Sequence, residues 1–198
     1  MKKVRVGING FGRIGRQVFR ALRQSYADRV EVVAINDLFD ATTNFQLLEY
    51  DSVYGRAFLD AQVDGQEVKV GDWNIHCFAE RDPHQLAWGQ HDVDVVVEST
   101  GIFRKASQAS VHMDNGAKKV IIAMEHCTKN GDAKIVEHCS LPLTAPGCVN
   151  TIVTELCIID CKPGCLTVTA IAPGVTPDEI RAKTGAHLCF AAQLETML

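Results

Sequence analysis

Three glycines near the amino terminus are spaced as in loops that bind phosphate groups. Gly10, Gly12 and Gly15 follow the apolar run 4–8 and precede a segment with helical periodicity. In a G-x-G-x-x-G loop the first glycine permits a tight turn, the second lets the backbone approach a pyrophosphate, and the third lets helix and strand pack closely. The N–H groups and dipole of the helix then favour an anion. The spacing predicts a dinucleotide site.

An acidic residue follows the second predicted strand. The apolar run 31–35 ends in Asn36 and Asp37, about 20 residues beyond the last glycine, as such sites require. A carboxylate there accepts hydrogen bonds from the adenosine ribose and repels the 2′-phosphate of NADP, so Asp37 favours NAD. The alternative is an α/β unit with a glycine turn and no ligand, which the strand, helix and acidic residue around the loop disfavour.

The composition is that of an ordinary globular protein. The 198 residues are 46% hydrophobic and 22% charged, and they suffice for one large or two small domains. A net charge of −4 argues against nucleic acid or an anionic membrane as the main partner. No apolar run is long enough to span a bilayer, and Met1–Lys3 leads into the first strand without a signal-peptide core. We therefore expect a cytoplasmic location.

Strand and helix patterns alternate along the first part of the chain. Predicted helices cover 13–24, 42–50 and 105–115, hairpin strands cover 61–63, 67–70 and 73–78, and buried strands cover 93–98 and 119–122. Ser99, Thr100 and Gly101 follow a buried strand, and small residues at the carboxyl end of a strand suit a ligand-binding crevice. The pattern predicts an α/β fold, Rossmann-like and doubly wound, with a mostly parallel sheet.

Six segments of the first part match one known family. They are Gly7–Arg16, Ala34–Asp37, Tyr50–Gly55, Ala79–Pro83, Glu98–Gly101 and Gly116–Ile122. Residues 1–122 thus resemble the NAD-binding half of phosphorylating glyceraldehyde-3-phosphate dehydrogenases. The resemblance implies a pyrophosphate cradle at residues 11–14, the adenosine ribose at Asp37, the adenine near Arg81, and the nicotinamide side of the cleft at residues 99–101. The residues assigned to the cofactor are Asn9, Gly10, Phe11, Gly12, Arg13, Ile14, Gly15, Asn36, Asp37, Arg81, Ser99, Thr100 and Gly101.

The second part of the chain matches a different family. The matching segments are Ala123–Gly131, Lys134–Val136, Cys139–Thr144, Val153–Leu156, Leu166–Thr169 and Ala172–Ala186. Residues 123 to about 192 thus resemble the C-terminal end of the B subunit of 3-oxoacid CoA-transferases. We interpret the chain as a chimera of an NAD-binding part, 1–122, and a CoA-transferase-like part, 123–198. No Pro/Gly/Ser-rich spacer separates them, so we expect the second part to continue the same sheet.

Neither family's catalytic centre is recognisable. After Ile122 the chain lacks the dehydrogenase segments that supply a nucleophilic cysteine, a base histidine and a phosphate-binding arginine. The transferase glutamate belongs to a Ser-Glu-Asn-Gly motif that is also missing, and the resemblance gives Glu125 and Glu155 no such role. His126 and Cys127 are neighbours whose side chains would point to opposite faces of a strand. We predict no catalytic residues.

Three functions remain open. The first is an NAD-binding protein related to oxidoreductases, the second is a fragment or subunit of a CoA-transferase, and the third is an inactive α/β scaffold. A homo-oligomer formed through surfaces that the missing parent domains leave uncovered is compatible with each.

Most of the eight cysteines lie after residue 123. Cys157, Cys161 and Cys165 are spaced by four, but we place them on or beside strands 152–160 and 165–171, and no C-x-x-C pair gives a zinc spacing. We therefore predict no metal, and reduced thiols that pack as small apolar groups.

Two further expectations concern helices. Thr176 is expected to cap a helix that begins with Pro177 and is followed by Gly185 as its C′ residue. The arginines of the first helix are expected to form a solvated face rather than a basic site, and they are Arg16, Arg20 and Arg23.

Overall fold

The computed structural model describes residues 2–51, 55–57, 59–101, 106–128, 130–138, 149–162 and 164–197, with the backbone alone for 106–109. Lys105, at the start of a predicted helix, and the matching segment Cys139–Thr144 lie outside these ranges. The chain divides into two compact units. The first contains residues 1–103 and 111–120, and the second contains residues 104–110 and 121–198. The boundary predicted at residue 122 stays a prediction.

Thirteen strands and four helices are defined in the described ranges. In chain order they are β1 (Val4–Asn9), α1 (Arg13–Ser25), β2 (Val30–Asn36), α2 (Ala41–Glu49), β3 (Tyr50–Asp51), β4 (Gly55–Arg56), β5 (Ala61–Asp64), β6 (Glu67–Val70), β7 (Trp73–Phe78), β8 (Val95–Glu98), α3 (Ala106–Asp114), β9 (Lys119–Ala123), β10 (Thr151–Val153), β11 (Cys157–Lys162), β12 (Cys165–Ile171), α4 (Pro177–Ala182) and β13 (Leu188–Thr196).

The strands of the first unit follow the order β8-β1-β2-β7-β6-β5. Strand β1 is parallel to β2 and β8, and β2 is parallel to β7. Strands β5, β6 and β7 are antiparallel, as the predicted hairpins require. The α/β class and the mostly parallel, Rossmann-like sheet are confirmed, and α1, α2 and α3 coincide with the predicted helices to within one or two residues at the described ends.

Apolar packing on both faces of β2 forms the core of the first unit. All residues from Val32 to Ile35 are buried, which a strand covered on both faces requires. Phe11, Phe19, Phe45 and Trp73 form a chain of aromatic contacts with centroid separations of 5.5–5.9 Å. Three of these four contacts are edge-to-face, a geometry that stabilises a core beyond the area it buries. The helices α1 and α2 are thereby fixed at the loop that follows β1.

The solvated arginine face predicted for α1 is wrong at Arg20. Its side chain is buried, and Nη2 donates to the carbonyl oxygens of Leu48 at 2.5 Å and Gly55 at 2.9 Å. The reason is that the carbonyl group of Leu48 at the end of α2 has no intrahelical donor and accepts from the guanidinium instead. Arg16 also bonds within the fold, donating to the carbonyl oxygen of Phe11 at 2.9 Å.

The strands of the second unit follow the order β13-β12-β11-β10-β9. The pairs β9–β10 and β12–β13 are parallel, whereas β10–β11 and β11–β12 are antiparallel. The single strand predicted at 152–160 is wrong, because the chain reverses between β10 and β11. The Thr154 hydroxyl accepts the N–H groups of Leu156 and Cys157, both at 3.2 Å, and so closes the turn.

The short helix α4 begins as predicted. The hydroxyl of Thr176 accepts the N–H of Glu179 at 3.2 Å, and Pro177 is the first helical residue. Ile180 is buried in the core of this unit with Leu156, Ile159, Val168 and Leu188. The helix ends at Ala182, so Gly185 lies beyond the C′ position that was predicted for it.

The expectation of reduced thiols is wrong for one pair of cysteines. Cys165 and Cys189 form a disulfide with a Cα–Cα separation of 6.4 Å. They lie on the neighbouring strands β12 and β13, where a disulfide can form without backbone movement. Cys77, Cys127, Cys157 and Cys161 are free thiols.

In the described part of the chain, no helix has the length and apolar character that crossing a bilayer demands.

Replacing Arg20 by methionine should lower the free energy of unfolding by about 1–3 kcal/mol, because the carbonyl groups of Leu48 and Gly55 lose their charged donor. Urea unfolding measures the change. Arg29→Met is the control, since its side chain is 68% exposed, and it should change stability by no more than about 0.5 kcal/mol. Equal losses in the two variants would contradict a structural role for Arg20.

Candidate functional site

The glycine-rich loop after β1 has a geometry that two of its glycines impose. Gly10 has φ +89°, and a Cβ there would lie 2.5 Å from the backbone nitrogen of Thr100. A Cβ on Gly15 would overlap the carbonyl oxygen of Gly10, so α1 packs directly on the loop. Gly12 differs, because a Cβ there would meet no atom within 4 Å. Gly10 and Gly15 therefore pack directly against neighbouring backbone, whereas Gly12 faces open space.

Helix α1 begins at this open position. Its N-cap residue is Gly12, which makes no side-chain cap hydrogen bond, and the first turn contains no acidic residue. A helix N-terminus leaves N–H groups without intrahelical partners, and its dipole favours negative charge. Arg13 is exposed at the same end. This terminus can therefore bind an anion such as a phosphate group.

The carboxylate of Asp37 connects the loop to the end of β2. Its Oδ2 accepts the N–H of Phe11 at 2.8 Å, and Oδ1 accepts the N–H of Phe39 at 3.3 Å. A carboxylate has about four acceptor positions, so Asp37 can hold the loop and still accept from a ligand. Phe11 itself is fully buried, its N–H donates to Asp37, and its carbonyl oxygen accepts from Arg16.

The end of β8 forms the opposite side of the site. The hydroxyl of Ser99 donates to the carbonyl oxygen of Gly10 at 2.8 Å, so it supports the loop. Thr100 is half-buried, and its N–H and hydroxyl both donate to Glu98. Gly101 is exposed and has φ +71°. Backbone and small side chains line this edge.

Asn9 and Asn36 lie beneath the loop rather than at its surface. They are 2% and 5% exposed. Nδ2 of Asn36 donates to Oδ1 of Asn9 at 2.7 Å, and Nδ2 of Asn9 donates to Oε2 of Glu98 at 2.6 Å. Arg81 is exposed after Glu80, whose N–H donates to Oδ1 of Asn36 at 2.9 Å. The structure therefore brings the ends of β1, β2 and β8 together, and the contact of each residue with a cofactor stays a prediction.

Glu98 and His112 also belong to this site, although neither was predicted from the sequence. Glu98 is 1% exposed, and its Oε2 lies 3.0 Å from Nε2 of His112, which is also buried. The signal for Glu98 was a charged residue at the end of the apolar run 95–97. His112 on α3 carried no comparable signal.

In the second unit, His126 and Cys127 face different partners. The ring of His126 is buried, with Nε2 2.9 Å from the Thr184 hydroxyl and Nδ1 3.1 Å from the Thr154 hydroxyl. Cys127 Sγ instead lies 3.7 Å from the carbonyl oxygen of Lys183. The two neighbours therefore do not form a nucleophile–base pair.

Three of the free thiols are poor nucleophiles. Burial raises the pKa of Cys77 to about 12 and the pKa of Cys161 to about 11. Burial is also the largest cause of the raised pKa of Cys157. The thiolate is the reactive form of cysteine, so these groups are inert at neutral pH. Across the described ranges, no three His, Cys, Asp or Glu side chains converge as a metal site would require.

Two family models match this chain. The NAD binding domain of glyceraldehyde 3-phosphate dehydrogenase matches residues 4–106, just over half of the chain. Coenzyme A transferase matches residues 94–183. Both resemblances seen in the sequence are thereby confirmed, and the presence of two families in one chain agrees with a chimera.

Relatives with known names are similar to the first part. Glyceraldehyde-3-phosphate dehydrogenase of Priestia megaterium is 55% identical over 120 residues, which are 61% of this chain and 35% of that protein. The Geobacillus stearothermophilus enzyme is 48% identical over 158 residues, 80% of this chain and 46% of that protein. The chain thus spans between about a third and a half of the length of these relatives.

The buried ring of His126 predicts acid sensitivity of the second unit. Burial is the largest cause of its lowered pKa; Lys183 lowers it further and Glu155 opposes this. The unfolded chain, with a histidine pKa of about 6.5, therefore binds a proton before the folded chain does. The neutral ring therefore contributes its full stability above a pH of about 6.5. This contribution is lost as the pH falls through the pKa of His126 in the folded chain.

Urea unfolding at several pH values between 7.5 and 5 measures this effect. His126→Gln should lose stability less steeply with falling pH than the wild type. His187→Gln is the control, because His187 is exposed in the same unit. If His126→Gln kept the wild-type slope, the buried neutral ring would not be the cause.

Proposed function

The chain belongs to the family of glyceraldehyde-3-phosphate dehydrogenase NAD binding domains, and on that premise we propose that it binds NAD at the loop between β1 and α1. The observation that carries the proposal is the open side of Gly12 at the uncapped N-terminus of α1. The relatives carry a dehydrogenase name, but the proposal for this chain is cofactor binding.

The loop fits a pyrophosphate in shape and charge. The absence of a side chain at Gly12 leaves space beside the first turn of α1, where N–H groups point outwards. The same position would be filled by any residue with a Cβ. Bound NAD would supply a hydride acceptor, and the residues of this chain would hold and orient it.

The end of β2 fits the adenosine half. Asp37 offers a carboxylate to the ribose hydroxyls and is already oriented by the N–H of Phe11. Leu38 and Phe39, which follow it, are 56% and 59% exposed. Apolar surface next to a polar anchor suits a purine ring. The carboxylate also disfavours the 2′-phosphate of NADP.

A second candidate function comes from the match of residues 94–183 to coenzyme A transferases. Catalysis there would need a reactive glutamate. The carboxylate of Glu155 accepts the N–H of His126 at 2.8 Å, and Glu125 is exposed with Lys134 at 4.0 Å. Neither resembles a nucleophile held in a site, so we prefer binding of NAD to transfer of CoA.

Gly12→Ala should weaken NAD binding by tenfold or more, about 1.4 kcal/mol, because the methyl group would occupy the space of the pyrophosphate. Calorimetric titration of the wild type should show saturable binding in the millimolar range or tighter. Absence of saturable heat from the wild type would refute the proposal.

Gly89→Ala is the matched control. A Cβ at Gly89 would be in ordinary contact, 3.4 Å from the carbonyl oxygen of Asn115, and it lies outside the loop. The melting temperatures of both variants should stay near that of the wild type. A loss of NAD binding in the Gly89 variant as well would show that the effect is not specific to the loop.

Asp37→Asn should reduce the preference for NAD over NADP by about tenfold, because it removes the charge but keeps an oxygen that can accept the N–H of Phe11. Asp37→Ala should also weaken NAD, since that hydrogen bond is lost. The ratio of the two dissociation constants is the measurement.

Asp40→Asn is the control for charge alone. Asp40 caps α2 through the N–H of Thr43 at 2.8 Å, and asparagine caps helices equally well. Its ratio of dissociation constants should stay close to that of the wild type. An unchanged ratio in Asp37→Asn would remove Asp37 from its assigned role.

A further inference from the structure

A buried carboxylate accepts four hydrogen bonds where β1 and β8 end. Oε2 of Glu98 accepts from Nδ2 of Asn9 at 2.6 Å and lies 3.0 Å from Nε2 of His112. Oε1 accepts the N–H of Thr100 at 2.8 Å and its hydroxyl at 2.5 Å. The side chain of Glu98 is 2% exposed and that of His112 is fully buried.

On the side of β2, a backbone N–H group determines which atoms of this hydrogen-bond network donate and which accept. The backbone N–H of Glu80 can only donate, so the atom of Asn36 that it contacts at 2.9 Å is the amide oxygen. The amide nitrogen of Asn36 then donates to Oδ1 of Asn9 at 2.7 Å. This leaves the amide nitrogen of Asn9 to face Glu98.

On the side of α3, an indole N–H group determines the donor and the acceptor of the next hydrogen bond in the same way. The indole N–H of Trp88 can only donate, and it donates to Nδ1 of His112 at 2.9 Å. The imidazole therefore carries its proton on Nε2 and donates it to Glu98. Asn9 and His112 thus both donate to Oε2 of Glu98. Glu98 accepts these bonds as a carboxylate.

We propose that Glu98 is a positioning residue that fixes the backbone at Thr100 and thereby the recognition of the nicotinamide end of NAD. This inference rests on the proposed function. Thr100 is held by Glu98 directly, whereas the adenosine end is held by other bonds, among them Asp37 to Phe11. Disturbing Glu98 therefore acts on one end of the dinucleotide more than on the other.

Glutamine cannot replace this carboxylate. If its amide oxygen accepted from Thr100, its NH₂ group would face the donors of Asn9 and His112, and neither can reverse because Glu80 and Trp88 fix their directions. The conflict between donors would be relieved by moving the end of β8. Buried polar groups left without partners are costly, so such a movement is expected.

The experiment compares NAD with ADP, which contains the adenosine and pyrophosphate but lacks the nicotinamide end. Calorimetric titration of Glu98→Gln should show NAD weakened at least tenfold and ADP changed by less than about twofold. Glu67→Gln is the matched control, because Glu67 also contacts a histidine, His76 at 2.6 Å, but its side chain is 64% exposed. It should bind both ligands as the wild type does.

A second pair of variants decides the question if Glu98→Gln does not fold. His112→Gln keeps an acceptor for Trp88 and a donor for Glu98, and should retain the preference of the wild type for NAD over ADP. His112→Leu removes the donor, and should lower that preference.

The outcomes separate this inference from the function on which it rests. A wild type that binds neither ligand would refute the proposed site. A wild type that binds NAD, with variants that weaken NAD and ADP equally, would show that Glu98 and His112 only stabilise the fold and would overturn the positioning role alone.

Discussion

The site in the first unit depends on the close approach of the backbones of β1 and β8 at their carboxyl ends. A Cβ on Gly10 would lie 2.5 Å from the nitrogen and 2.7 Å from the Cα of Thr100, so no side chain can separate them. Such an approach buries peptide groups, and buried polar groups need partners within the protein. The Ser99 hydroxyl donates to the carbonyl oxygen of Gly10, and the Glu98 carboxylate accepts the N–H of Thr100. Ser99 therefore supports the loop from beneath, and the outer side of the loop at Gly12 can stay open for a ligand.

Sequence alone predicts the parts of this arrangement that follow from local geometry. The glycine spacing specified a turn, an open position and a close helix contact, and the structure has all three at Gly10, Gly12 and Gly15. The cap at Thr176 is equally local. Partners distant in the chain were not predictable, because periodicity identifies a helix face but not which carbonyl groups will meet it. Arg20 bonds to Leu48, 28 residues away, and Asn9 bonds to Glu98, 89 residues away.

Burial decides the chemistry of the second unit more than residue type does. Its histidine and cysteines could serve as ligands or nucleophiles, but apolar packing raises the pKa of Cys157 and lowers the pKa of His126, and each favours the neutral form. Two threonine hydroxyls then satisfy both nitrogens of the His126 ring. The turn at Thr154 lies within an apolar run and was not predicted from the sequence. This turn brings the Thr154 hydroxyl to the ring. The same residues on an exposed surface would be better candidates for a reactive site.

The overlap of the two family matches at residues 94–106 has a physical explanation. This stretch contains β8, a short apolar strand that pairs in parallel with β1. A parallel buried strand requires apolar, often β-branched side chains and little else, so different α/β families can share similar sequences there. Val95–Val97 meet that general requirement, whereas Glu98 does not, because its carboxylate serves the specific donors of Asn9, Thr100 and His112. A chain can therefore change from one family pattern to another near such a strand. The polar residues at the end of the strand must then keep the partners that the loop of the first family requires.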